Sequence, residues 1–382
     1  VAAPPRRSAP DSGAPLHNAN FTTWLAPTYE VNLDLAPEER WNAVARALDP
    51  RATLGPDWVT KYLANSTHLS TETLELAFKV VGELESFMSA DEARELRGYA
   101  KALGVEVGAL AIANLAYELR KLGGPSPNDT MAEGLRPGAC SGVVAEDASG
   151  RTYHGRNLDW NMPAEMLPLI YTCRFTKGGE VAFEGGCVLG LVGMLSGAKP
   201  GVGSANINER HLGGSPVTDA LEAILRGAPP VAVALRRVFE SATSYAGFKD
   251  ELSTVRVAAP VYYIIAGPGP SEGAVLTRDR EGVDEYSLNP DAGRWFLYQS
   301  NYDRWTAPPK TDDRRGYALR YLQSAGQGAV ASREGVLKAL DFWPVANPCT
   351  SQTLWMDSAK GTGGVQTYVR QYVGPGGCKT QT

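Results

Sequence analysis

Histidine is scarce in this chain: the 382 residues hold four, His17, His68, His154 and His211, and none stands at the spacing of a metal-binding pair. No metal is therefore expected; nor is any cofactor assigned. No run approaches the roughly eighteen apolar residues of a membrane helix. No basic block is present, and 37 Lys+Arg against 42 Asp+Glu leave a net charge of -5, which argues against nucleic acid as a partner. The chain opens Val1-Ala2-Ala3-Pro4-Pro5-Arg6-Arg7, with neither an initiator Met nor the apolar core of a signal peptide, as a processed or trimmed amino terminus would. Cysteine is sparse as well. The five, Cys140, Cys173, Cys187, Cys349 and Cys378, are an odd number, so at least one thiol stays unpaired.

With 43% apolar residues the chain can bury a full core, as one large domain or two interlocked halves. Residues 1–28, rich in Pro, Ala, Ser and Arg, read as a mobile arm. Helical spacing follows over Pro37 to Leu48, Pro56 to Ala64, Leu74 to Met88, Ala90 to Leu103 and Val107 to Leu122, with Ser89 and Glu92 as a capping box. After Cys140 the period becomes that of strands. Cys140 to Glu146 and Arg151 to Gly155 read as one hairpin, Leu169 to Thr176 and Glu180 to Val188 as a second. Residues 216 to 253, Asp312 to Ser324 and Arg333 to Phe342 read as helices. Val261 to Ala266, Ala274 to Thr277, Arg294 to Gln299, Thr353 to Asp357 and Gln366 to Gln371 read as strands. The order defines an α+β protein, its sheets packed with helices.

The chemistry gathers where the period changes. Gly138-Ala139-Cys140-Ser141-Gly142 matches a nucleophile elbow by letter, but an elbow's nucleophile ends a strand and opens a helix. Here a Pro/Gly-rich stretch precedes the cysteine and the strand follows it. That order suits an N-terminal nucleophile, whose α-amine is freed by chain cleavage and acts as its base. An amide carbon is a weak electrophile, so its attack needs a strong nucleophile and donors for the developing oxyanion. At acid pH a lone thiol, with its pKa of about 8.5, stays protonated. Arg156 and an α-ammonium beside Cys140 would favour the thiolate, and Asp159 could hold the ammonium. Plainer readings stand beside these: Cys140 as a small core residue, Arg156 and Asp159 as a surface ion pair, Asn301 as a turn residue, Arg314 as a solvated helix start and Glu209 as one half of a structural salt bridge.

Three acceptor sequons, at Asn20, Asn65 and Asn128, all precede Cys140 and fit passage through the secretory route. If Cys140 is free, Cys349 and Cys378 are expected to pair, since both lie in Pro/Gly-rich loops at the ends of the last two strands, and closing that loop would stabilise by about 3 to 4 kcal/mol. Cys173 and Cys187 flank a hairpin without falling opposite each other, and are expected to stay unpaired.

The run Ser141-Gly142-Val143-Val144-Ala145-Glu146-Asp147 with His154-Gly155-Arg156-Asn157-Leu158-Asp159 resembles the family of acid ceramidase and N-acylethanolamine-hydrolysing acid amidase, lysosomal N-terminal nucleophile amidases. The likeness extends from about Val31 to about Tyr372, through Gly193-Met194-Leu195, Lys199-Pro200-Gly201, Asn208-Glu209-Arg210, Thr277-Arg278-Asp279-Arg280, Asn301-Tyr302-Asp303-Arg304-Trp305 and Asp312-Asp313-Arg314-Arg315. It implies a four-layer αββα sandwich, with residues 1–139 as a mostly helical α-subunit or pro-region and 140–382 as the catalytic β-subunit. It further implies Cys140 as nucleophile and new terminus after autocleavage, Arg156 and Asp159 orienting its amine and thiol, Asn301 donating to the oxyanion through its side-chain amide, Arg314 completing the polar floor and Glu209 in the substrate pocket. The segment Gly123 to Ala139 departs from the family as an insertion, so the cut before Cys140 would be slower, differently triggered or made by another protease. No cysteine near the amino terminus could form the inter-subunit disulfide of acid ceramidase, so packing alone would hold the two pieces of the heterodimer.

The implied activity is hydrolysis of a fatty acyl amide. Asn32-Leu33-Asp34-Leu35, Asn-Glu-Arg and Thr-Arg-Asp-Arg resemble acid ceramidase, whereas Tyr153 to Asp159 and Pro308-Pro309-Lys310 resemble the acid amidase, so ceramide and N-acylethanolamines both stay open. A bile-salt or penicillin V acylase and a non-catalytic lipid-binding relative are the alternatives. A lipid amide must be collected from a membrane or micelle surface, and Trp58, Val59, Tyr62 and Leu63 give a short helix the bulky apolar face of an interfacial helix.

Overall fold

The strand-period segments pair into two sheets in the computed structural model, which describes residues 16–67, 70–81, 88–119, 140–210, 227–310 and 312–378. The strands are β1 Phe21–Leu25, β2 Thr28–Asn32, β3 Cys140–Glu146, β4 Thr152–Asp159, β5 Ile170–Lys177, β6 Glu180–Val188, β7 Ser196–Lys199, β8 Gly203–Glu209, β9 Val261–Ala266, β10 Gly273–Arg278, β11 Val283–Ser287, β12 Phe296–Gln299, β13 Thr350–Met356 and β14 Val365–Tyr372. One sheet runs β1-β14-β13-β4-β3-β12, the other β11-β10-β9-β8-β7-β6-β5-β2. Neighbours are antiparallel apart from the β2–β5 pair, which is parallel.

The pleat decides what each layer buries. Val144 of β3 points between the sheets, where it meets Leu297, Tyr262 and Ile264. Val143 and Ala145 point outward and pack with Leu322 and Val336 of the covering helices Arg314–Ala325 and Arg333–Ala339, and with Leu340 just beyond the second. On the far side, helices Val231–Ser241 and Tyr245–Thr254 cover the eight-stranded sheet. Phe183, Phe239 and Phe248 form a row there with ring centroids 5.8 and 5.1 Å apart. The result is the expected αββα stack.

The amino-terminal arm behaves differently from its composition. Phe21–Leu25 joins one sheet along β14 and Thr28–Asn32 joins the other along β5, so this segment adds an outer strand to each sheet. Each stretch is short and cut off by Ala26-Pro27, and only pairing with residues far away in sequence makes a strand of it. Residues 1–15 lie outside the described residues. The strands β7, β8 and β11 were equally hidden, within Gly-rich or polar sequence.

Helices Trp58–Thr67, Thr71–Val81, Ala90–Leu103 and Val107–Asn114 follow the helical periods, and Ser89 and Glu92 form the capping box. The interfacial reading of the first of these does not hold. Trp58, Val59, Tyr62 and Leu63 are each at most 4% exposed and belong to the main core, so the bulky face packs on neighbouring helices and touches no lipid surface. An amphipathic period shows that a face is covered without showing by what.

Helix Ala90–Leu103 is clipped to helix Val231–Ser241 by charge. Glu95, 1% exposed, accepts from Arg236 Nη1 and Nη2 at 2.6 and 2.7 Å, Arg40 Nη1 at 2.6 Å and Trp41 Nε1 at 2.8 Å. Burial pushes its carboxyl up, but Arg236, Trp41 and Arg40 outweigh this and hold it below the ordinary range. Removing one partner of such a buried group costs about 3 to 5 kcal/mol, because the others are left unpaired.

Two disulfides are present. Cys349–Cys378 closes the ends of β13 and β14 as expected, with Cα atoms 4.8 Å apart. Cys173–Cys187 is a correction. A regular hairpin around Gly178-Gly179 would set the two three positions out of register, on opposite faces. The β-bulge between Phe175 and Thr176 shifts the pairing by one, so that Cys173 faces Gly185 and Cys187 faces Tyr171. Two positions apart on one face, their Cα atoms come within 5.8 Å, inside disulfide reach.

Candidate active site

Cys140 begins β3, 4% exposed, and its sulfur is the free thiol among the described residues. Three side chains hold three of its atoms. Its backbone N donates to Asn301 Oδ1 at 2.5 Å, its Sγ accepts from Arg156 Nη2 at 3.3 Å, and its carbonyl accepts from Arg314 Nη1 at 2.8 Å.

Strand register explains the first two contacts. Cys140 pairs with Leu158 and Gly142 with Arg156, so Arg156 shares the inner face with Cys140, two positions along. There its guanidinium also donates to the carbonyls of Leu195 and Ile207, at 3.2 and 3.3 Å, and to Ser196 Oγ. On the other side of β3, β12 ends with Gln299 opposite Gly142, so the chain beyond it reaches Cys140 at Asn301. Asn301 turns its oxygen to Cys140, while its amide nitrogen donates to the Glu209 carbonyl at 2.8 Å. This is the reverse of the orientation an oxyanion donor needs.

Asp159 lies three residues from Arg156 and therefore on the opposite face of β4, which excludes the simple ion pair between them. Its carboxylate accepts from Thr350 Oγ1 at 2.6 Å, Asn347 Nδ2 at 2.8 Å and Arg314 Nη1 at 3.3 Å. Arg314, 0% exposed at the start of its helix, binds Asp312 through Nε and Nη2, both at 2.7 Å, and reaches Asn301 Oδ1 at 3.0 Å. Asp159 thus reaches Cys140 through Arg314, whose Nη1 contacts both. Asp312, Asn347 and Thr350 escaped the assignment of roles from sequence; the run Asp312-Asp313-Arg314-Arg315 was the available signal for the first.

Beside the thiol a cleft is lined by Tyr117, Arg156, Leu158, Trp160, Leu195, Ile207 and Glu209. Glu209 is 6% exposed there. Tyr117 Oη donates to the Pro260 carbonyl at 2.8 Å, which fixes the helical residue that roofs the cleft. Of the sequons, Asn20 is exposed in the turn before β1, Asn65 lies in helix Trp58–Thr67 and Asn128 falls outside the described residues.

Two buried groups titrate in opposition. Burial pushes the Asp159 carboxyl from 3.8 up to about 6, against the pull of Arg314. Burial, aided by Arg156, pushes His154 from 6.5 down to about 4. Between pH 6 and 4 the folded chain holds the Asp159 proton more tightly than the unfolded chain does, so this group adds stability as pH falls. From 6.5 to 4 His154 does the opposite, and the two largely cancel. Asp159→Asn is expected to unmask His154, with Tm falling as pH drops through that window, and His154→Gln to unmask Asp159, with Tm rising. Thermal melts across pH 4 to 7 check this; curves parallel to wild type in both variants would refute it.

A cysteine heading an inner strand of an αββα stack, with a guanidinium on its sulfur, is the arrangement of the N-terminal nucleophile hydrolase fold. Residues 140–331 match the model of the linear amide C-N hydrolases, choloylglycine hydrolase family, and residues 26–88 match that of the beta subunit of N-acylethanolamine-hydrolyzing acid amidase. The chain is 31% identical over 337 residues to the mouse N-acylethanolamine-hydrolyzing acid amidase, covering 87% of this chain and 86% of that protein. It is 31% identical over 373 residues to human acid ceramidase, covering 91% and 87%. A solved N-acylethanolamine-hydrolyzing acid amidase ortholog from Caenorhabditis elegans superposes with a TM-score of 0.53 at 30% identity, over 58% of this chain and 94% of that one. The chain belongs to the linear amide C-N hydrolases, in the branch of acid ceramidase and N-acylethanolamine-hydrolyzing acid amidase, and is an amidase. No helix among the described residues is long and apolar enough to cross a membrane.

Proposed function

We propose that this protein hydrolyses the acyl amide of a lipid, an N-acylethanolamine or a ceramide, to a free fatty acid and an amine, after a cut between Ala139 and Cys140 divides it into residues 1–139 and 140–382. The observation that carries the reading is the separate grip on the nitrogen, sulfur and carbonyl of Cys140 by Asn301, Arg156 and Arg314. Any buried backbone nitrogen needs an acceptor; what supports the reading is that this acceptor is a side chain itself held in place by Arg314 and the Glu209 carbonyl.

Once cut, that nitrogen is an α-ammonium with three protons, one of which keeps the bond to Asn301 Oδ1. Arg156 holds the sulfur as thiolate. The thiolate attacks the amide carbon, and the tetrahedral oxyanion draws a donor, which the Asn301 amide supplies by turning from the Glu209 carbonyl into the cleft as its oxygen gives up the ammonium. The ammonium gives a proton to the leaving amine as the C–N bond breaks and a thioester forms. The now neutral α-amine then takes a proton from water, whose attack frees the fatty acid and restores the thiolate. Asp159 keeps Arg314 on the Cys140 carbonyl, and Glu209 lies where the amine portion of the substrate enters. Leu158, Trp160, Leu195 and Ile207 offer the acyl chain apolar walls.

The names of the relatives, two disulfides and an exposed sequon at Asn20 support an acid compartment, lysosome or vacuole, or secretion, with a glycan on Asn20. The insoluble substrate is collected from a membrane or micelle surface. Acid-incubated protein offered palmitoylethanolamide, ceramide, penicillin V and a conjugated bile salt is expected to cleave a lipid amide at least about 10-fold faster, by kcat/KM, than either acylase substrate. Preference for penicillin V or the bile salt would overturn the substrate class.

A further inference from the structure

Strand β8 carries polar residues where a core strand has no need of them. Ser204, Asn206 and Asn208 alternate along its inner face, each at most 1% exposed, in an interface otherwise filled by Val144, Ile264 and Leu297. A buried amide or hydroxyl without partners costs several kcal/mol, so their bonds need an account. Asn208 Nδ2 donates to the carbonyls of Gln299 and Ser300, at 2.8 and 3.2 Å. Asn206 Nδ2 donates to Asn208 Oδ1 at 2.8 Å, and Asn206 Oδ1 lies 2.8 Å from His154 Nε2. His154 Nδ1 lies 2.9 Å from Ser204 Oγ.

The polarity of this chain is set at its far end. Two backbone carbonyls can only accept, so Asn208 must show them its NH2 group and turn its oxygen to Asn206. Asn206 must in turn present its NH2 to Asn208 and its oxygen to His154, whose proton therefore sits on Nε2. The same loop is held twice more by β8 and the residue after it. The Glu209 carbonyl takes the Asn301 amide at 2.8 Å, and Arg210 grips Asp303 at 2.8 and 3.0 Å, with Tyr262 Oη donating to that carboxylate at 2.6 Å. Room for the chain is left by Gly142, two residues from the nucleophile: a Cβ there would stand 2.9 Å from Asn206 Oδ1.

We infer that His154, Asn206 and Asn208 are positioning residues that fix the 299–301 loop, and through it the grip of Asn301 on the Cys140 nitrogen. The inference rests on the amidase reading above and extends it to residues that touch neither substrate nor thiol. It also accounts for two separated sequence motifs, Asn208-Glu209-Arg210 and Asn301-Tyr302-Asp303, as the two sides of one clasp.

The test compares Asn206→Leu and His154→Leu, which cut the chain, with His154→Gln, whose NH2 can still donate to Asn206. Positioning predicts that both leucine variants lose about 10-fold to 100-fold in kcat per folded molecule with KM within about 3-fold, as for a catalytic group displaced by an ångström or less, while His154→Gln stays within about 3-fold in both. It also predicts that iodoacetamide labels Cys140 at least about 3-fold faster in the leucine variants, because the loop that holds the Cys140 nitrogen opens more often and loosens the start of β3 around the buried thiol. Should a leucine variant not accumulate, Asn208→Asp sets a carboxylate against the two carbonyls at unchanged size and is expected to behave like the leucines. Wild-type kcat per folded molecule in the cut variants, a loss confined to KM, or His154→Gln as impaired as His154→Leu would overturn the inference. A wild-type protein that cleaves no amide while the labelling pattern holds would instead sink the amidase reading and leave the positioning intact.

Discussion

Cys140→Ala is expected to abolish amide hydrolysis and chain cleavage together while leaving the fold in place. Alanine removes one buried sulfur from a strand whose ladder is made by backbone atoms, so stability changes little beyond the lost packing of a small side chain. The chemistry has no substitute. The other cysteines are tied in Cys173–Cys187 and Cys349–Cys378, and the cleft beside the thiol is lined by no second nucleophile as strong. Loss of the nucleophile is expected to lower kcat by at least about 10⁴-fold. Gel analysis and a fluorogenic acyl-amide assay on the purified variant read both effects, and residual hydrolysis above about one part in a thousand of wild type would exclude Cys140 from the reaction.

Arg314→Met has the second largest expected effect, and it strikes both stability and rate. Methionine fills a similar volume but leaves Asp312 and Asp159 facing each other without the guanidinium that binds both. Stranding the buried Asp159 in this way, beside a half-buried Asp312, costs about 3 to 5 kcal/mol. Asn301 loses the contact to its oxygen and the Cys140 carbonyl loses its donor, so the rate falls by about 10²-fold or more even in the folded fraction. Arg314→Lys is not expected to rescue it, since one ammonium cannot replace a planar fork that serves four acceptors. Urea unfolding with kcat per folded molecule reads the two losses separately. A variant with wild-type midpoint and wild-type kcat would show that the buried cation is dispensable.

The residues that the sequence marked as chemical do converge, because strand register carries local spacing into space. Cys140 opening β3 and Asn301 just past β12 follow from the strands read at Cys140 to Glu146 and Arg294 to Gln299, whereas Arg156 lies beyond the strand read over Arg151 to Gly155, which β4 extends to Asp159. What stayed hidden depended on remote partners. Asp159 was placed against the amine, yet a separation of three along a strand turns it to the far face, where Arg314 intervenes. The orientation of the Asn301 amide is fixed by the Glu209 carbonyl, a group that every residue has and no sequence reveals. The Cys173–Cys187 bond hinged on one bulge, the strands at Phe21–Leu25 and Thr28–Asn32 on sheet edges more than a hundred residues away, and the burial of Trp58 on the helices around it. In each of these segments local composition and period left the surroundings undetermined, and the remote partner decided them.

The most direct measurement is the mass and terminal sequence of wild-type protein before and after acid incubation. An N-terminal nucleophile predicts a new chain that begins Cys140-Ser141-Gly142, appearing in step with amidase activity and absent from Cys140→Ala. Full amidase activity from a chain that remains uncut before Cys140 would contradict it.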